Sequence, residues 1–123
     1  MEPTLIQSIA LVAVGGAVGA VLRFGVGQVV DSSQFPWATF TVNIIGSCLL
    51  ALLMFGWNGI DPAVKILLFT GLFGAFTTMS TFTVDTVTMF SDGRMGEAAL
   101  NFILNPCLCV AGAFIGRYLA LLL

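Results

Sequence analysis

Residues 71–83, GLFGAFTTMSTFT, lie in the middle of a long apolar segment that begins near Val64. Gly71 and Gly74 precede a cluster of four hydroxyl side chains: Thr77, Thr78, Ser80 and Thr81. Glycine weakens a helix, and clustered serine and threonine offer the backbone competing hydrogen bonds. We therefore predict a helix from Val64 to Phe76, a short break, and a second helix from Ser80 to Phe90. The alternative is a continuous helix whose hydroxyl groups bond back to their own carbonyls. Broken helices near the membrane centre are typical of ion and substrate sites.

The composition is that of a membrane protein. Hydrophobic residues make up 59% of the 123 residues and charged residues only 8%, whereas a soluble domain carries about 25% charged residues. Because a span needs about 20 apolar residues, the chain has room for four. We predict a single all-α integral membrane domain, residues 1–123, with spans at about 5–30, 37–57, 64–90 and 96–121. No basic residue precedes the first apolar segment, so we interpret it as a retained span and not as a signal peptide.

The residue types that are present exclude several functions. The net charge of −2 argues against a nucleic-acid partner. The chain has no histidine, which excludes a histidine metal site or general base, and it has no paired carboxylates, so we do not expect an enzyme. The three cysteines lie in apolar stretches and are predicted to be small buried hydrophobic residues, not disulfides or metal ligands: Cys48, Cys107 and Cys109.

The first span carries a glycine pair and an arginine. Gly15 and Gly19 form a GxxxG pair, a spacing that lets helices approach closely in lipid, so we predict a packing role. Arg23 lies near the end of this span, where a long side chain can reach the interface. Two interpretations of Arg23 stay open: a simple interfacial anchor, or a charge that attracts anions to a vestibule.

The second span carries one polar stripe, because Thr39, Asn43 and Ser47 follow each other at a spacing of four residues. An amide at the depth of Asn43 needs hydrogen-bond partners. It either makes an interhelical hydrogen bond, a common use of asparagine in membranes, or it lines a path for a permeating ion or ligand. The stripe favours the second interpretation.

The third and fourth spans add further polar positions. We expect Asp61 to cap the third span, with Pro62 in its first turn. Asp85 either reaches the membrane interface or faces the protein interior. One face of the fourth span carries Asn101, Asn105, Cys109 and Ala113. The same span contains a candidate bend and a second GxxxG pair, which we interpret as a packing device: Pro106, Gly112 and Gly116.

The four basic residues are balanced across the membrane. Arg23 and Arg94 fall on one side, and Lys65 and Arg117 fall on the other. This balance gives the positive-inside rule almost nothing to act on, so such a chain is able to insert in either orientation. Four short helices cannot enclose much of a pore. We infer a homodimer and keep antiparallel subunits open as its arrangement.

Three stretches together resemble the signatures of the Fluc fluoride channels, also called CrcB. They are residues 15–23 (GGAVGAVLR), 36–46 (PWATFTVNIIG) and 71–82 (GLFGAFTTMSTF). Three signatures in this order and at this spacing are highly specific. The resemblance covers the first three spans, whereas the fourth span matches mainly in its length and its glycines.

The resemblance implies an antiparallel dual-topology homodimer with two fluoride pores, which exports fluoride passively and selectively across a bacterial inner membrane. It implies a structural sodium ion at the dimer centre, bound by the backbone carbonyls of Gly74 and Thr77 of each subunit. It also implies that fluoride passes the span-two asparagine, the signature phenylalanines, nearby hydroxyl groups and a polar track on span four. With the polar positions of the first two spans, the predicted fluoride pathway comprises Arg23, Thr39, Asn43, Met79, Ser80, Thr81, Phe82, Asn105 and Cys109.

Three features depart from the family pattern. Met79 occupies the place of the first signature phenylalanine, and Ala38 replaces a glycine. The track on span four, often serine or tyrosine in the family, reads Asn105, Cys109 and Ala113. A phenyl ring is positive at its edge, so Phe82 presented edge-on favours an anion weakly. The thioether of Met79 is polarizable but has no such edge.

Two other classes of protein fit part of the pattern. A small dual-topology multidrug transporter also has four spans, but its mechanism needs an ionisable carboxylate in the membrane core, usually on span one. No acidic residue lies between Glu2 and Asp31. A non-conducting structural subunit needs neither the polar stripe nor the break. The expected partners are therefore fluoride, the lipid bilayer and a second copy of the chain.

Overall fold

The computed structural model describes all 123 residues, and every regular element in it is helical. Four segments are long and apolar enough to cross a membrane: Leu5–Val29, Trp37–Gly56, Pro62–Ser91 and Met95–Ala120. The predicted all-α architecture with four spans is confirmed, and the chain is a multi-pass membrane protein. We name the helices α1 (Leu5–Val29), α2 (Trp37–Gly56), α3 (residues 62–76), α4 (Met79–Ser91) and α5 (Met95–Ala120).

Helices α1 and α3 begin at side-chain caps that the local sequence supplies. Thr4 and Gln7 form a capping box at the start of α1, where the Gln7 Oε1 accepts the Thr4 N–H at 2.8 Å. Asp61 caps α3, because its Oδ1 accepts the Ala63 N–H at 2.8 Å and Pro62 occupies the first turn. The predicted N-cap at Asp61 is confirmed.

The third span is interrupted at Thr77 and Thr78. Both residues have extended backbone angles, with φ and ψ of −83° and 157° at Thr77 and −150° and 115° at Thr78. Helix α3 therefore ends at Phe76, and α4 begins at Met79. The predicted break is confirmed and the continuous helix is wrong, because the backbone of Thr78 bonds to another helix and not to its own.

Much of α3 is wider than an ordinary helix. Residues Ile66–Phe73 form a π-helix between the α-helical turns Pro62–Lys65 and Gly74–Phe76. This segment packs along α1. A Cβ atom on Gly15 would lie 2.2 Å from the Leu67 carbonyl oxygen, and one on Gly19 would lie 2.1 Å from that of Leu72. The predicted packing role of the first GxxxG pair is confirmed, since only glycine leaves room for these carbonyls.

Helices α2 and α5 form a second close pair, and α4 packs on α5. A Cβ atom on Gly116 would lie 2.1 Å from the Cys48 carbonyl oxygen, and one on Gly112 would lie 3.2 Å from that of Ile44. The second GxxxG pair therefore also serves packing, as predicted. Helix α5 continues through Pro106.

The cysteines are free, but none of them is fully buried. Cys48 and Cys109 are half-buried and Cys107 is exposed. The predicted burial of Cys107 is wrong because this residue lies on a face of α5 that no other helix of the chain covers. An apolar residue on a spanning helix can face lipid as readily as protein.

Candidate functional site

Asn43 on α2 holds the backbone at the break in the third span. Its Oδ1 accepts the Thr78 N–H at 2.8 Å, and its Nδ2 donates to the Thr78 carbonyl at 3.1 Å. Asn43 and Thr78 are both buried. The Asn43 amide thus pairs with both backbone polar groups of Thr78, as the backbone of a neighbouring helical turn would, and satisfies these two groups without solvent.

The break deprives several carbonyls of their usual helical donors, and those of Gly74 and Thr77 are among them. The Thr78 N–H would close the next turn onto the Gly74 carbonyl, but it donates to Asn43 instead. The Thr81 N–H, which would reach the Thr77 carbonyl, donates to Thr78 Oγ1 at 3.1 Å. Gly74 is exposed on the surface of the chain and Thr77 is half-buried. The carbonyls of Gly74 and Thr77 are therefore available to an additional partner.

Thr78 also organises the hydroxyl cluster that the sequence singles out. Its Oγ1 caps α4 and donates to Thr81 Oγ1 at 3.0 Å. Ser80 Oγ lies 3.3 Å from the same Thr78 oxygen. Ser80 and Thr81 are exposed on the chain. Three of the four hydroxyl residues therefore lie together with Thr78 at their centre, whereas the Thr77 hydroxyl donates to the Phe73 carbonyl at 2.9 Å.

A chain of amides runs away from the break through α5. Asn43 Nδ2 donates to Asn105 Oδ1 at 3.4 Å, and Asn105 Nδ2 donates to Asn101 Oδ1 at 3.5 Å. Asn101 Nδ2 then donates to Thr86 Oγ1 on α4 at 2.9 Å. Asn101 is fully buried and Asn105 is 2% exposed. The interhelical hydrogen bond that was one interpretation of Asn43 is therefore present, and both of its N–H groups are used.

Two surface grooves meet at Thr78. The first has a volume of about 330 Å³, and we name it the Arg23 groove; its polar lining consists of Arg23, Thr39, Thr78 and Thr81. The second has a volume of about 360 Å³, and we name it the Asn105 groove; its lining includes Asn43, Thr78, Met79, Phe82, Asn105 and Cys109. The structure thus distributes most of the predicted pathway residues over two neighbouring grooves that share the break.

The Asn105 groove contains the two side chains that occupy the phenylalanine positions of the third signature. Phe82 is buried, whereas Met79 is 73% exposed. Cys109 Sγ donates to Asn105 Oδ1 at 3.6 Å, so the thiol and the amide lie side by side. Groups of very different polarity therefore line one groove: an aromatic ring, a thioether, a thiol and two amides.

The side chain of Asp85 faces the protein interior, which is one of the two interpretations that the sequence left open. Its Oδ2 accepts the Thr39 hydroxyl at 2.9 Å, and the carboxyl-bearing residue is half-buried. Thr39 is therefore tied to α4, although it also lines the Arg23 groove. Arg23 is half-buried in that groove, which places its charge beside the predicted path.

The loop at the same end of the molecule is fastened to α5. Arg94 pairs with Glu97 and donates to the Gln34 carbonyl. A polar pocket of about 240 Å³ lies there, lined in part by Ser32, Asp85, Asp92 and Arg94. In the neighbouring turn, the Ser33 N–H donates to Asp31 Oδ1 at 2.9 Å and holds the pKa of that exposed carboxyl below its usual value.

Three residues at the site were not among the predicted pathway residues: Thr78, Asn101 and Thr86. Asn101 shares the helical face of Asn105, and Thr86 follows Phe82 by four residues, so sequence spacing carried a signal for both. No sequence spacing indicated the role of the Thr78 backbone, because that role depends on which helix lies opposite the break.

These features define a class of protein. A broken span, freed carbonyls and polar grooves in a small four-span bundle are typical of membrane proteins that move ions or small solutes. The family model of the CrcB-like protein, Camphor Resistance (CrcB), matches residues 10–117. The chain therefore belongs to the CrcB-like family, and the resemblance of its three signatures is confirmed.

Curated relatives extend over nearly the whole chain. The fluoride-specific ion channel FluC of Idiomarina loihiensis is 44% identical over 108 residues, which cover 84% of each protein. The FluC of Sulfurovum sp. is 39% identical over 123 residues, covering 97% of this chain and 95% of the relative. The FluC of Magnetococcus marinus is 38% identical and covers 89% of this chain. These relatives are named as ion channels and not as enzymes.

Proposed function

We propose that this protein is a fluoride-selective channel that lets fluoride leave the cell passively. The observation that carries the proposal is the break in the third span at Thr78. Thr78 lines both grooves, and its backbone is hydrogen-bonded to the buried Asn43 amide. The family relatives named as fluoride channels support the identity of the ion.

The lining groups suit a small, strongly hydrated anion. Fluoride loses its water only if other donors replace it, and the Thr81 hydroxyl in the Arg23 groove can do so. Ser80 lines neither groove, but its hydroxyl lies beside that of Thr78 and can serve at the break. Arg23 raises the local anion concentration in the first groove. In the second groove the Phe82 ring edge adds a weak attraction. Weak sites in series favour conduction because an ion must leave each site as well as enter it.

A second copy of the chain is the proposed cover for the break. Gly74, Ser80 and Thr81 are exposed on the isolated chain. Polar backbone and hydroxyl groups at this depth are tolerated only against protein or water. We propose an antiparallel homodimer with two pores, consistent with the equal number of basic residues at the two ends.

We further propose a structural sodium ion between the two copies. The carbonyls of Gly74 and Thr77 fit such a site, because the break frees both of them and a hard cation prefers oxygen ligands. No group of three or more His, Cys, Asp or Glu side chains could hold a metal ion, so the proposed ligands are backbone oxygens. When bound, the ion would supply positive charge beside the anion path. Because the relatives come from bacteria, we propose a bacterial inner membrane as the location.

The transporter alternative has less support. A proton-coupled exchanger needs a carboxylate free to exchange its proton in the membrane core. The first span has none, and Asp85 is engaged by the Thr39 hydroxyl at 2.9 Å.

Anion efflux from liposomes tests the proposed function. The purified full chain is reconstituted, and fluoride and chloride efflux are compared in the same preparation. We expect rapid fluoride efflux with chloride retained. Loss of both ions at similar rates would contradict selectivity, and no fluoride efflux from folded protein would contradict the channel.

The proposed sodium site needs a separate experiment. Replacing sodium by the larger N-methylglucamine ion should lower the thermal stability of the purified protein and stop fluoride efflux, and sodium should restore both. Unchanged stability and efflux after complete exchange would contradict the site.

A further inference from the structure

The hydrogen bonds around Asn105 form a continuous path that begins and ends on the third span, and we call this path, together with the backbone of α4 that joins its ends, the amide ring. The path starts at the backbone of Thr78 and continues through the side chains of Asn43 on α2 and of Asn105 and Asn101 on α5. It reaches α4 at the Thr86 hydroxyl. Thr86 Oγ1 then donates to the Phe82 carbonyl at 2.8 Å. The amide ring therefore joins the break to the turn of α4 that carries the Phe82 side chain, and it does so through α2 and α5.

The direction of every bond in this ring is determined at both ends. At one end the Thr78 N–H can only donate, so Asn43 must present its oxygen to that group and its nitrogen to the Thr78 carbonyl and to Asn105. Asn105 therefore accepts with Oδ1. It turns its Nδ2 toward Asn101, which accepts in turn.

The other end gives the same direction independently. A hydroxyl has one proton, and Thr86 uses it on the Phe82 carbonyl, which can only accept. Thr86 Oγ1 must therefore accept from Asn101 Nδ2, which leaves the Asn101 oxygen facing Asn105. The two ends agree, so no amide in the ring can turn over without losing a hydrogen bond.

This fixed direction decides which amide in the Asn105 groove has a donor to spare. Asn43 uses both N–H groups, one on the Thr78 carbonyl and one on Asn105. Asn105 Nδ2 donates only to Asn101, so its second N–H has no acceptor within the chain. Asn105 is 2% exposed and lines the groove. An unpaired buried donor of this kind favours an anion.

We propose that Thr86 and Asn101 are positioning residues that keep the second Asn105 N–H free for fluoride. This inference rests on the proposed function and deepens it, because it assigns the amide donor in the groove to Asn105 and not to Asn43. Neither Thr86 nor Asn101 lines either groove. Both act through Asn105.

The first test is spectroscopic and needs no ion transport. The chain has four asparagines, and Asn58 lies in an exposed turn outside the ring. In asparagine-labelled protein, Thr86→Val should shift the side-chain amide resonances of Asn105 and Asn43, neither of which contacts Thr86, and should leave Asn58 unchanged. Thr83→Val is the matched control, because Thr83 makes the same bond to its own helix, to the Met79 carbonyl, but has no amide partner. Unmoved Asn105 and Asn43 resonances in Thr86→Val would overturn the ring.

The second test addresses the spare donor. Adding sodium fluoride to the wild-type protein should shift the Asn105 side-chain amide protons more than those of Asn43, and sodium chloride should shift neither. A larger response at Asn43 would overturn the assignment to Asn105.

The third test separates positioning from folding. We expect Thr86→Val to lower fluoride efflux by roughly tenfold, the scale of one lost hydrogen bond. Thr86→Ser, which keeps the hydroxyl, should restore efflux, and Thr83→Val should leave it unchanged. Normal efflux in Thr86→Val would overturn the positioning role, whereas a wild-type protein without efflux would contradict the proposed function and leave the resonance test standing.

Discussion

Asn43 pairs with both backbone polar groups of Thr78, accepting its N–H at 2.8 Å and donating to its carbonyl at 3.1 Å. A side-chain amide has the same donor and acceptor as a peptide group, so it can replace the helical partners that the break removes. This pairing lets a span stop and restart inside an apolar protein. It also ties the break to α2, which carries the polar stripe.

Removing the Asn43 amide should damage both transport and folding. In Asn43→Ala the buried Thr78 groups lose their partners, and each unsatisfied group costs about 1–3 kcal/mol. We expect a lower melting temperature in detergent and strongly reduced fluoride efflux. Thr41→Ala is the control, because the Thr41 hydroxyl bonds only to the Trp37 carbonyl of its own helix. Full efflux from Asn43→Ala would remove this residue from the mechanism.

The glycine contact between α1 and α3 should tolerate no added carbon. In Gly15→Ala or Gly19→Ala the new Cβ would collide with a backbone carbonyl, at 2.2 Å from Leu67 or 2.1 Å from Leu72. Overpacking of this kind costs about 1–3 kcal/mol, and the helices must separate. Thermal unfolding in detergent measures the loss. Gly25→Ala is the matched control, since nothing lies within 4 Å of its added Cβ; equal stability of the three variants would contradict the contact.

Substitutions at Met79 and Phe82 distinguish an aromatic contribution to fluoride efflux from a contribution of side-chain packing. Met79 is 73% exposed on the isolated chain, so Met79→Phe meets no crowding there. We expect it to raise fluoride efflux, because it adds a second positive ring edge to the groove. Met54→Phe makes the same exchange at an exposed position outside both grooves and should change nothing. A decrease in efflux for Met79→Phe would contradict the edge-on contribution.

Phe82→Ile should impair efflux, since Phe82 is the remaining signature aromatic residue. Phe82 is 6% exposed, so the smaller side chain also leaves space in the core. Efflux should also be measured for Phe82→Leu, which removes the aromatic ring, and for Phe82→Tyr, which keeps it. The comparison distinguishes an effect of side-chain volume from an effect of the aromatic ring. If efflux depends on side-chain volume and not on aromaticity, the proposed attraction between fluoride and the Phe82 ring edge is wrong.

Added positive charge should expose the proposed antiparallel arrangement. Ser33→Arg with Ser91→Arg adds charge at one end of the molecule, and Asn58→Arg with Leu122→Arg adds it at the other; all four positions are exposed. Each double variant should insert in one orientation only and lose efflux when expressed alone. Co-expression of the two should restore it. Full efflux from either variant alone would contradict the antiparallel dimer.

The local predictions succeeded where neighbouring residues decide the outcome. The clustered hydroxyls and glycines predicted the interruption after Phe76, and the placement of Asp61 before Pro62 predicted a helix start. The GxxxG spacing predicted close packing because a missing side chain is a property of the residue itself. Burial of Cys107 failed, since hydropathy does not distinguish a lipid-facing position from a core position.

By itself the sequence determined a four-span membrane protein of the CrcB-like family with a broken third span, because hydropathy, backbone preference and signature motifs are local properties. Only the tertiary structure decided what completes the break. The partners of Thr78, the π-helical turn at Ile66–Phe73 and the return of the amide ring to Thr86 all depend on which groups lie opposite each other. A buried polar group must pair with whatever the packing brings near, and that choice is made between helices distant in the chain.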